Sequence, residues 1–380
     1  MQGTRVALVL KTIPPYRIGV FQELAKRVGH LKIFLSTRLE PHRSWSVEWQ
    51  TLDVSLMPTL TIPYHRRHPG GFDEQLYLHL TLDAYSPLRR YKPDVVIASE
   101  LGTRSLGAAI YCGLRPECRL VLWGTVSERS EQGRGFFRRW FRPWFIRRAD
   151  AVVVNGRSGA RYVAGLGFPT ARIFVARQSP PTAMFADLPL ARRSTKLLRI
   201  LIVGQLVHGK GLLPFFRALG RWAEAHPGRV IELRLAGQGP LRDTLVHEPL
   251  PWNIHLRFLG PSGYADMPAI YAGADILAFP TLSDEWGLVV HEAMLAGLRV
   301  LGSIYSQAVE ELVQDGVSGW TFRTDRPDEL AGAIERALAV KPAELGTMRR
   351  RVRAKALKIT ELTMANQLLD AVRFVMAKQG

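Results

Sequence analysis

The chain of 380 residues contains two cysteines, no long apolar run and fewer acidic than basic residues. Two cysteines, Cys112 and Cys118, indicate neither a disulfide framework nor a cysteine metal site. We therefore expect the protein to reside in a reducing compartment, the cytoplasm. No apolar stretch approaches the roughly 20 residues that a membrane-spanning helix requires. The run at residues 6–10 is too short for the apolar part of a signal peptide, so we expect it to be a first strand.

The residues that are abundant describe a globular protein with an uneven positive charge. Hydrophobic residues make up 47% and charged residues 22%, and the length is sufficient for two domains with full cores. The net charge is +18, and residues 1–190 contribute +13 of it, with 27 Lys and Arg against 14 Asp and Glu. The first half is therefore expected to face something acidic: nucleic acid, anionic lipid or a pyrophosphate-linked substrate.

Short apolar runs alternate with amphipathic segments in both halves of the chain. Strands are predicted at 5–10, 31–36, 94–99, 119–123 and 151–154, with helices between them that include 17–28, 72–85 and 101–113. A proline-containing linker is predicted at 179–195, and strands resume at 198–203, 231–236, 254–259, 276–279 and 300–303. This alternation predicts two α/β domains, each a doubly wound parallel sheet, at 1–185 and 196–360.

The most informative stretch is residues 274–297, which reads A-D-I-L-A-F-P-T-L-S-D-E-W-G-L-V-V-H-E-A-M-L-A-G. An apolar strand is followed by Asp284 and Glu285, and Gly287 then begins a helix that carries Glu292. The carboxylates are suited to sugar hydroxyls, and the unpaired N–H groups of the first helical turn are suited to an anion. The segment therefore predicts a site for a ligand that has both hydroxyl and phosphate groups.

This segment resembles the E-x7-E region of retaining glycosyltransferases of family 4, written E-x-[FW]-G-[IL]-V-x-x-E-A-M. Trp286, Gly287, Leu288 and Glu292 stand on the motif letters, and Asp284 replaces the first Glu with the spacing preserved. A solvated acidic turn at a helix N-terminus is the alternative interpretation. That alternative fits the two adjacent carboxylates but does not account for the whole string.

Loops after three other predicted strands resemble the same family. V-G-Q-L-V-H-G-K-G-L is similar to G-R-L-x-x-x-K-G, in which Arg and Lys hold the donor pyrophosphate; Lys210 matches and Gln205 replaces the Arg. L-A-G-Q-G-P-L-R is similar to a glycine loop and contains Gly237. Leu259 lies in a segment that resembles the one whose backbone contacts the nucleotide base.

The resemblance implies the GT-B fold, with two Rossmann-like domains facing each other across a cleft and the C-terminal helix 363–380 packing back on the first domain. It implies a retaining hexosyltransferase in which Lys210, Asp284 and Glu292 are catalytic. No Asp-x-Asp occurs, so neither a metal nor another cofactor is expected beyond a nucleotide diphospho-sugar. The implied donor-binding residues are Gln205, Lys210, Gly237, Leu259, Asp284, Glu285, Trp286, Gly287, Leu288 and Glu292.

The first domain is expected to bind the acceptor. Its first turn reads P-P-Y-R, where many relatives have a Gly-Gly loop, and Tyr16, Arg17 and Gly19 are the expected contacts to acceptor or phosphate. Glu100 follows one predicted strand, and Trp123 ends the next. Both are expected to face the cleft at the carboxyl ends of the strands, as acceptor-side contacts.

Residues 133–148 interleave six arginines with aromatic side chains. Helical spacing places Phe137, Trp140, Phe141 and Trp144 on one stripe, a pattern typical of a helix at an anionic membrane surface. The alternative is a core-facing helix with solvated arginines, which Pro143 would kink. We expect Arg134 through Arg148 to contact anionic lipid, and no specific nucleic acid to be bound.

The predicted function is transfer of a sugar to a hydroxyl of a lipid-linked or surface-glycan acceptor. The enzyme is expected to be cytoplasmic and peripheral on the inner face of the cell membrane. One alternative is a nucleotide-sugar-binding protein that has lost turnover, which the replacements at Asp284 and Gln205 motivate. Another is a basic nucleic-acid-binding protein, which the net charge motivates.

Overall fold

The computed structural model describes residues 3–39, 48–67, 73–132, 136–190, 197–340 and 342–377. The chain forms two compact units. The first consists of Met1–Pro69, Glu74–Pro181 and Ile359–Gly380, and the second consists mainly of Thr182–Lys358.

The first part of the chain alternates strands and helices. Its strands are β1 (Arg5–Leu10), β2 (His30–Leu35), β3 (Val54–Leu56), β4 (Thr59–Arg67), β5 (Asp73–Thr81), β6 (Val95–Ser99), β7 (Arg119–Gly124), β8 (Ala151–Val154) and β9 (Ile173–Val175). Its helices are α1 (Ile18–Ala25), α2 (Tyr85–Tyr91), α3 (Thr103–Gly113), α4 (Phe136–Ile146) and α5 (Arg157–Gly165).

Seven of these strands form one sheet in the order β3-β2-β1-β6-β7-β8-β9, and each neighbouring pair is parallel. The chain adds β2 and β3 on one side of β1 and then crosses to β6 on the other side. The strand order therefore reverses between β1 and β6, and such a switch point opens a crevice at the carboxyl ends of the two strands.

The helix predicted at 72–85 is wrong. Asp73–Thr81 is strand β5, which pairs with β4 in a separate two-stranded sheet, and helix α2 begins only at Tyr85. The sequence D-E-Q-L-Y-L-H-L-T-L places leucine at every second position from residue 76. That period of two is the strand pattern, and the prediction overlooked it.

The second part of the chain repeats the alternation. Its strands are β10 (Leu197–Val203), β11 (Val230–Ala236), β12 (Ile254–Gly260), β13 (Ile276–Phe279), β14 (Arg299–Ser303) and β15 (Gly319–Phe322). Its helices are α6 (Thr182–Ala186), α7 (Leu212–Ala225), α8 (Arg242–Val246), α9 (Met267–Ala272), α10 (Leu288–Leu295), α11 (Gln307–Leu312), α12 (Pro327–Leu338), α13 (Pro342–Ala356) and α14 (Glu361–Met376).

The second sheet is parallel, with the order β12-β11-β10-β13-β14-β15. Its order reverses between β10 and β13, so its switch point lies where these two strands end. The predicted pair of doubly wound parallel sheets is confirmed.

The N-terminal part of the first unit extends to Pro181, whereas the sequence predicted a boundary at residue 185. Phe185 of α6 is fully buried against Tyr264 and Tyr271 of the second unit, with ring centroids 6.1 and 5.7 Å away. Helix α14 belongs to the first unit and packs against α1, β7, β8 and β9. Within the described residues, no helix is both long and apolar enough to span a membrane.

Candidate active site

An ion pair marks the switch point of the second sheet. Lys210 lies in a 3₁₀ turn after β10, and Asp284 lies in the loop after β13. The Lys210 Nζ atom is 2.6 Å from Asp284 Oδ2 and 5.3 Å from the centroid of the Phe279 ring. Both side chains are partly buried. A cation and a carboxylate, far apart in sequence, are thus brought together where ligands of such sheets bind.

Backbone contacts hold the loops of this ion pair together. Leu282 N donates to the Gly209 carbonyl at 2.9 Å, and Thr281 Oγ1 donates to the same oxygen at 3.2 Å. Gly211, at φ +63°, passes so close to Pro280 that a Cβ atom would lie 2.0 Å from the Pro280 carbonyl oxygen. Loop packing therefore requires a glycine after Lys210. The same close packing fixes the backbone position from which the lysine side chain extends.

The turn before α10 is bonded on both sides. Asp284 Oδ1 accepts from Trp286 N at 3.1 Å, and the buried Trp286 offers its carbonyl to Ala308 N at 2.8 Å and Ser306 Oγ at 2.5 Å. Gly287 is the N-cap of α10. The first N–H groups of a helix have no partner within the helix, so the start of α10 adds a partial positive charge near Asp284.

Glu292, on the second turn of α10, is buried, with only 3% of its surface exposed. Its Oε2 accepts from the Tyr271 hydroxyl at 2.7 Å, and its Oε1 accepts from the Tyr264 hydroxyl at 3.0 Å. Burial raises the pKa of Glu292, and the two tyrosine hydrogen bonds oppose that shift without cancelling it. Burial and the nearby carboxylate also raise the pKa of Tyr271 well above its usual value.

The other predicted donor-binding residues differ in how far they are exposed. Gln205 and Glu285 are exposed, Leu259 and Leu288 are partly buried, and the Glu285 carbonyl accepts from Gln307 Nε2 at 2.6 Å. Gly237, one of the predicted donor-binding residues, packs closely against another loop. A Cβ atom there would lie 2.0 Å from the Gly204 carbonyl oxygen, so the close approach is to the neighbouring loop.

A second polar cluster marks the switch point of the first sheet. Lys11 follows β1 and Glu100 follows β6, with Nζ and Oε1 3.8 Å apart. Arg104 is buried, and it donates from Nη1 to Glu100 Oε2 at 2.9 Å and from Nε to Ser36 Oγ at 3.0 Å. Glu100 has φ +65°, a strained conformation for a residue with a side chain. Sequence reasoning named Glu100 but missed Lys11 and Arg104.

The prediction that Trp123 faces a ligand needs correction. Trp123 is fully buried and meets Phe21 edge-on, so the core of the first unit encloses it. It supports Arg17, whose guanidinium carbon lies 4.7 Å from the centroid of the Trp123 ring. Tyr16 and Arg17 share the 3₁₀ turn before α1. Gly19 makes room for α14, since a Cβ atom there would lie 3.3 Å from Glu361 Cγ.

Across the part of the chain that the structure describes, no group of three or more His, Cys, Asp or Glu side chains could hold a metal ion.

Comparisons with known proteins match both units. The model of the Glycosyl transferase 4-like domain matches residues 19–177, and that of Glycosyl transferases group 1 matches residues 198–339. The uncharacterized glycosyltransferase MJ1607 of Methanocaldococcus jannaschii is 31% identical over 144 residues, 37% of this chain and 35% of that protein. Glycogen synthase of Mycobacterium tuberculosis is 28% identical over 224 residues, 57% of this chain and 51% of that enzyme. The chain therefore spans about a third to a half of the length of these relatives.

Solved structures share the whole fold at low sequence identity. HepE of Anabaena in complex with UDP has a TM-score of 0.71 at 17% identity, over 97% of this chain and 100% of HepE. The lipopolysaccharide outer core galactosyltransferase WaaB in its apo form has a TM-score of 0.69 at 12% identity, over 97% of this chain and 98% of WaaB. The two family models, matched in chain order, show that the chain belongs to the family 4 glycosyltransferases, and these structures show that it has the GT-B fold.

Proposed function

We propose that this chain transfers a sugar from a nucleotide diphospho-sugar to an acceptor hydroxyl, with retention of the anomeric configuration. The observation that carries this proposal is the Lys210–Asp284 ion pair at the switch point of the second sheet. It lies beside the N-terminus of the helix that carries Glu292. The cation and the helix N-terminus are suited to binding a diphosphate, and the carboxylates are suited to binding sugar hydroxyls.

Lys210 is proposed to hold the donor diphosphate and to stabilise the negative charge that grows on it as the sugar leaves. Its ammonium group is paired with Asp284 at 2.6 Å, so a bound phosphate competes with that carboxylate for the same cation. As Lys210 turns to the phosphate, Asp284 becomes available to accept from hydroxyls of the sugar. Charge stabilisation of this kind is commonly the largest single contribution to catalysis, and here it is proposed to need no metal.

Glu292 is proposed to bind the ribose hydroxyls, and the loop backbone at Trp286–Leu288 to bind the sugar and phosphate. A buried carboxylate that accepts from hydroxyl groups, as Glu292 does from Tyr271, is suited to a ribose diol. Gln205 is exposed on the loop before Lys210 and is proposed to give one further hydrogen bond to the diphosphate.

The relatives indicate which nucleotides to test first. HepE has been solved with UDP and with UDP-glucose, and starch synthase IV of Arabidopsis thaliana with ADP and acarbose. Their identities to this chain are 17%, 16% and 14%, so they set the order of testing and not the answer.

A thermal-shift panel of UDP, ADP, GDP and their glucose conjugates tests the proposal. A ligand that binds only the folded state raises Tm by mass action, and a concentration 100 times Kd adds about 2.7 kcal/mol. We expect one nucleotide series to raise the Tm of the wild type but not of Glu292→Ala. Glu224→Ala, on an exposed position of α7, is the matched control and should respond like the wild type. Absence of any shift with wild type contradicts the proposal.

The proposed acceptor is a lipid-linked sugar or a growing surface glycan, bound by the first unit. Lys11, Glu100 and Arg104 form a polar cluster at the switch point of that unit, and a sugar hydroxyl is a suitable partner for the strained, partly exposed Glu100 carboxylate. Arg104, buried and bonded to Glu100, is proposed to position it.

We further propose that α4 holds the enzyme on the inner, cytoplasmic face of the cell membrane. Trp140 is 67% and Trp144 43% exposed, and the Arg148 guanidinium lies 3.3 Å above the Trp144 ring. Of the other predicted contacts, Arg134 and the side chain of Phe137 lie outside the described residues, and Phe141 differs from the two tryptophans. Phe141 is only partly exposed and stacks on Phe145, which is fully buried in the core. Two tryptophans and a cation are the combination that an anionic bilayer surface favours.

A binding protein without turnover is the alternative that the replacements at Gln205 and Asp284 motivate. It would bind the nucleotide in the thermal-shift panel as the enzyme does. Release of nucleoside diphosphate from the bound nucleotide sugar, with any acceptor, would exclude it.

A further inference from the structure

The carboxylate of Glu292 is enclosed by the protein itself. Each of its oxygens accepts from one tyrosine hydroxyl, and the side chain is almost completely enclosed. If this acid binds ribose, as proposed above, a ribose hydroxyl can reach it only where one tyrosine gives way.

The two tyrosines are not equivalent. Both tyrosine rings meet the buried Phe185 ring edge-on, at 5.7 Å for Tyr271 and 6.1 Å for Tyr264, but Tyr271 lies on α9 and has no exposed surface. Tyr264 begins a 3₁₀ turn, is only partly buried, and follows the exposed Pro261, Ser262 and Gly263. Its bond to Glu292 is also longer, 3.0 Å against 2.7 Å. Tyr271 is therefore held by the core, whereas Tyr264 is the partner that can be exchanged.

We propose that the Tyr264 hydroxyl occupies the place of one ribose hydroxyl on Glu292 and is displaced when the donor binds. Tyr264 is then a specificity-determining residue for the donor, and Tyr271 is a positioning residue that keeps the carboxylate in place. This inference rests on the proposed function, because it takes Glu292 to be the ribose-binding acid.

Displacement has a consequence for affinity. In the wild type, a ribose hydroxyl replaces the Tyr264 hydroxyl as the donor to one Glu292 oxygen. One hydrogen bond to a charged oxygen is exchanged for another, so the net gain in binding free energy is small. Without the Tyr264 hydroxyl, the same ribose hydroxyl supplies a bond that the free protein lacks. An analogue that has lost that hydroxyl gains nothing from the change, because the carboxylate oxygen stays without its partner.

Calorimetric titration of wild type, Tyr264→Phe, Tyr271→Phe and Tyr305→Phe tests the inference. The probes are UDP, ADP and GDP, each with its 2′-deoxy and 3′-deoxy analogue. For the base that binds, we expect Tyr264→Phe to lower the Kd of the ribonucleotide about five- to tenfold. The Kd of one deoxy analogue should stay within about twofold, so discrimination between ribose and deoxyribose rises.

The other variants separate displacement from simple support. Tyr271→Phe should weaken the ribonucleotide and both deoxy analogues together, because it disturbs the position of Glu292. Tyr305→Phe removes a hydroxyl that donates to Asp325 at 2.6 Å and should bind like the wild type. The inference is wrong if Tyr264→Phe binds the ribonucleotide more weakly than, or as well as, wild type, or if its Kd changes equally for all three ligands. Either outcome leaves the proposed function standing. Wild type that binds none of the ribonucleotides overturns the proposed function, and this inference with it.

Discussion

At the scale of single residues, Glu292, the proposed ribose-binding carboxylate, is expected to reduce the stability of the fold at neutral pH. Burial raises the pKa of Glu292, so the folded state binds its proton more tightly than the unfolded state does. The stability that this group contributes is complete below the ordinary pKa of glutamate and is lost as pH rises through the raised pKa. As pH rises above the ordinary pKa of glutamate, enclosing Glu292 therefore costs folding free energy.

Glu292→Gln removes that charge and keeps the size of the side chain; one acceptor oxygen becomes an NH2 group, which donates to a tyrosine hydroxyl instead of accepting from it. We expect its Tm to exceed that of wild type at pH 7–8 by a few degrees, since about 1 kcal/mol shifts Tm by about 2–4 °C in domains of 150–250 residues. The two Tm curves should converge as the pH is lowered, and nucleotide binding should be lost. Glu224→Gln should follow the wild type. A constant offset at every pH, or a lower Tm throughout, would contradict this account.

The residues that sequence reasoning missed have no local signature. Tyr264 lies 28 positions and Tyr271 21 positions from Glu292, and only the fold of the second unit brings them together. Arg104 stands four positions after Glu100, but Glu100 lies before helix α3 in a left-handed conformation, so the pairing rule for helix residues does not predict this contact. Trp123 was placed at the correct strand end, but its burial depends on Phe21 from another element.

At the scale of secondary-structure elements, helix α4 places some of its side chains in the core and leaves others exposed to solvent. Phe145 and Ile146 are fully buried, and the buried Arg142 is paired with Glu131 and donates to Tyr162 at 2.6 Å. Trp140 and Trp144 lie outside. The spacing of aromatic residues predicted an apolar stripe, but it did not separate the rings that fill the core from those that remain exposed.

Co-sedimentation with lipid vesicles tests the exposed part of α4. The double variant Trp140→Ala and Trp144→Ala should bind vesicles of phosphatidylglycerol and phosphatidylcholine about tenfold more weakly than wild type, because two interfacial aromatic rings are removed. Pure phosphatidylcholine should bind weakly in every case. Trp252→Ala, at a tryptophan that is 73% exposed in the second unit, is the matched control. Equal binding by the double variant and wild type would contradict the proposed membrane contact.

At the scale of the whole molecule, the alternation of strands and helices was predictable because each sheet is parallel and its strands are buried apolar runs. Most predicted strands lie within a residue or two of those observed. The pairing order was not readable from the residues alone. That order places the switch points between β1 and β6 and between β10 and β13, and both switch points carry a lysine paired with a carboxylate.

Lys210 and its surroundings are proposed to hold the diphosphate of a nucleotide sugar. Calorimetric Kd values for the nucleoside diphosphate selected by the thermal-shift panel, measured for wild type, Lys210→Ala and Lys358→Ala, test this proposal most directly. Lys358 is exposed after α13 and controls for the loss of one positive charge. We expect Lys210→Ala to raise Kd about ten- to a hundredfold, as losing a charged hydrogen bond of about 1.5–3 kcal/mol requires, with Lys358→Ala unchanged. Equal Kd values for Lys210→Ala and wild type would contradict the claim.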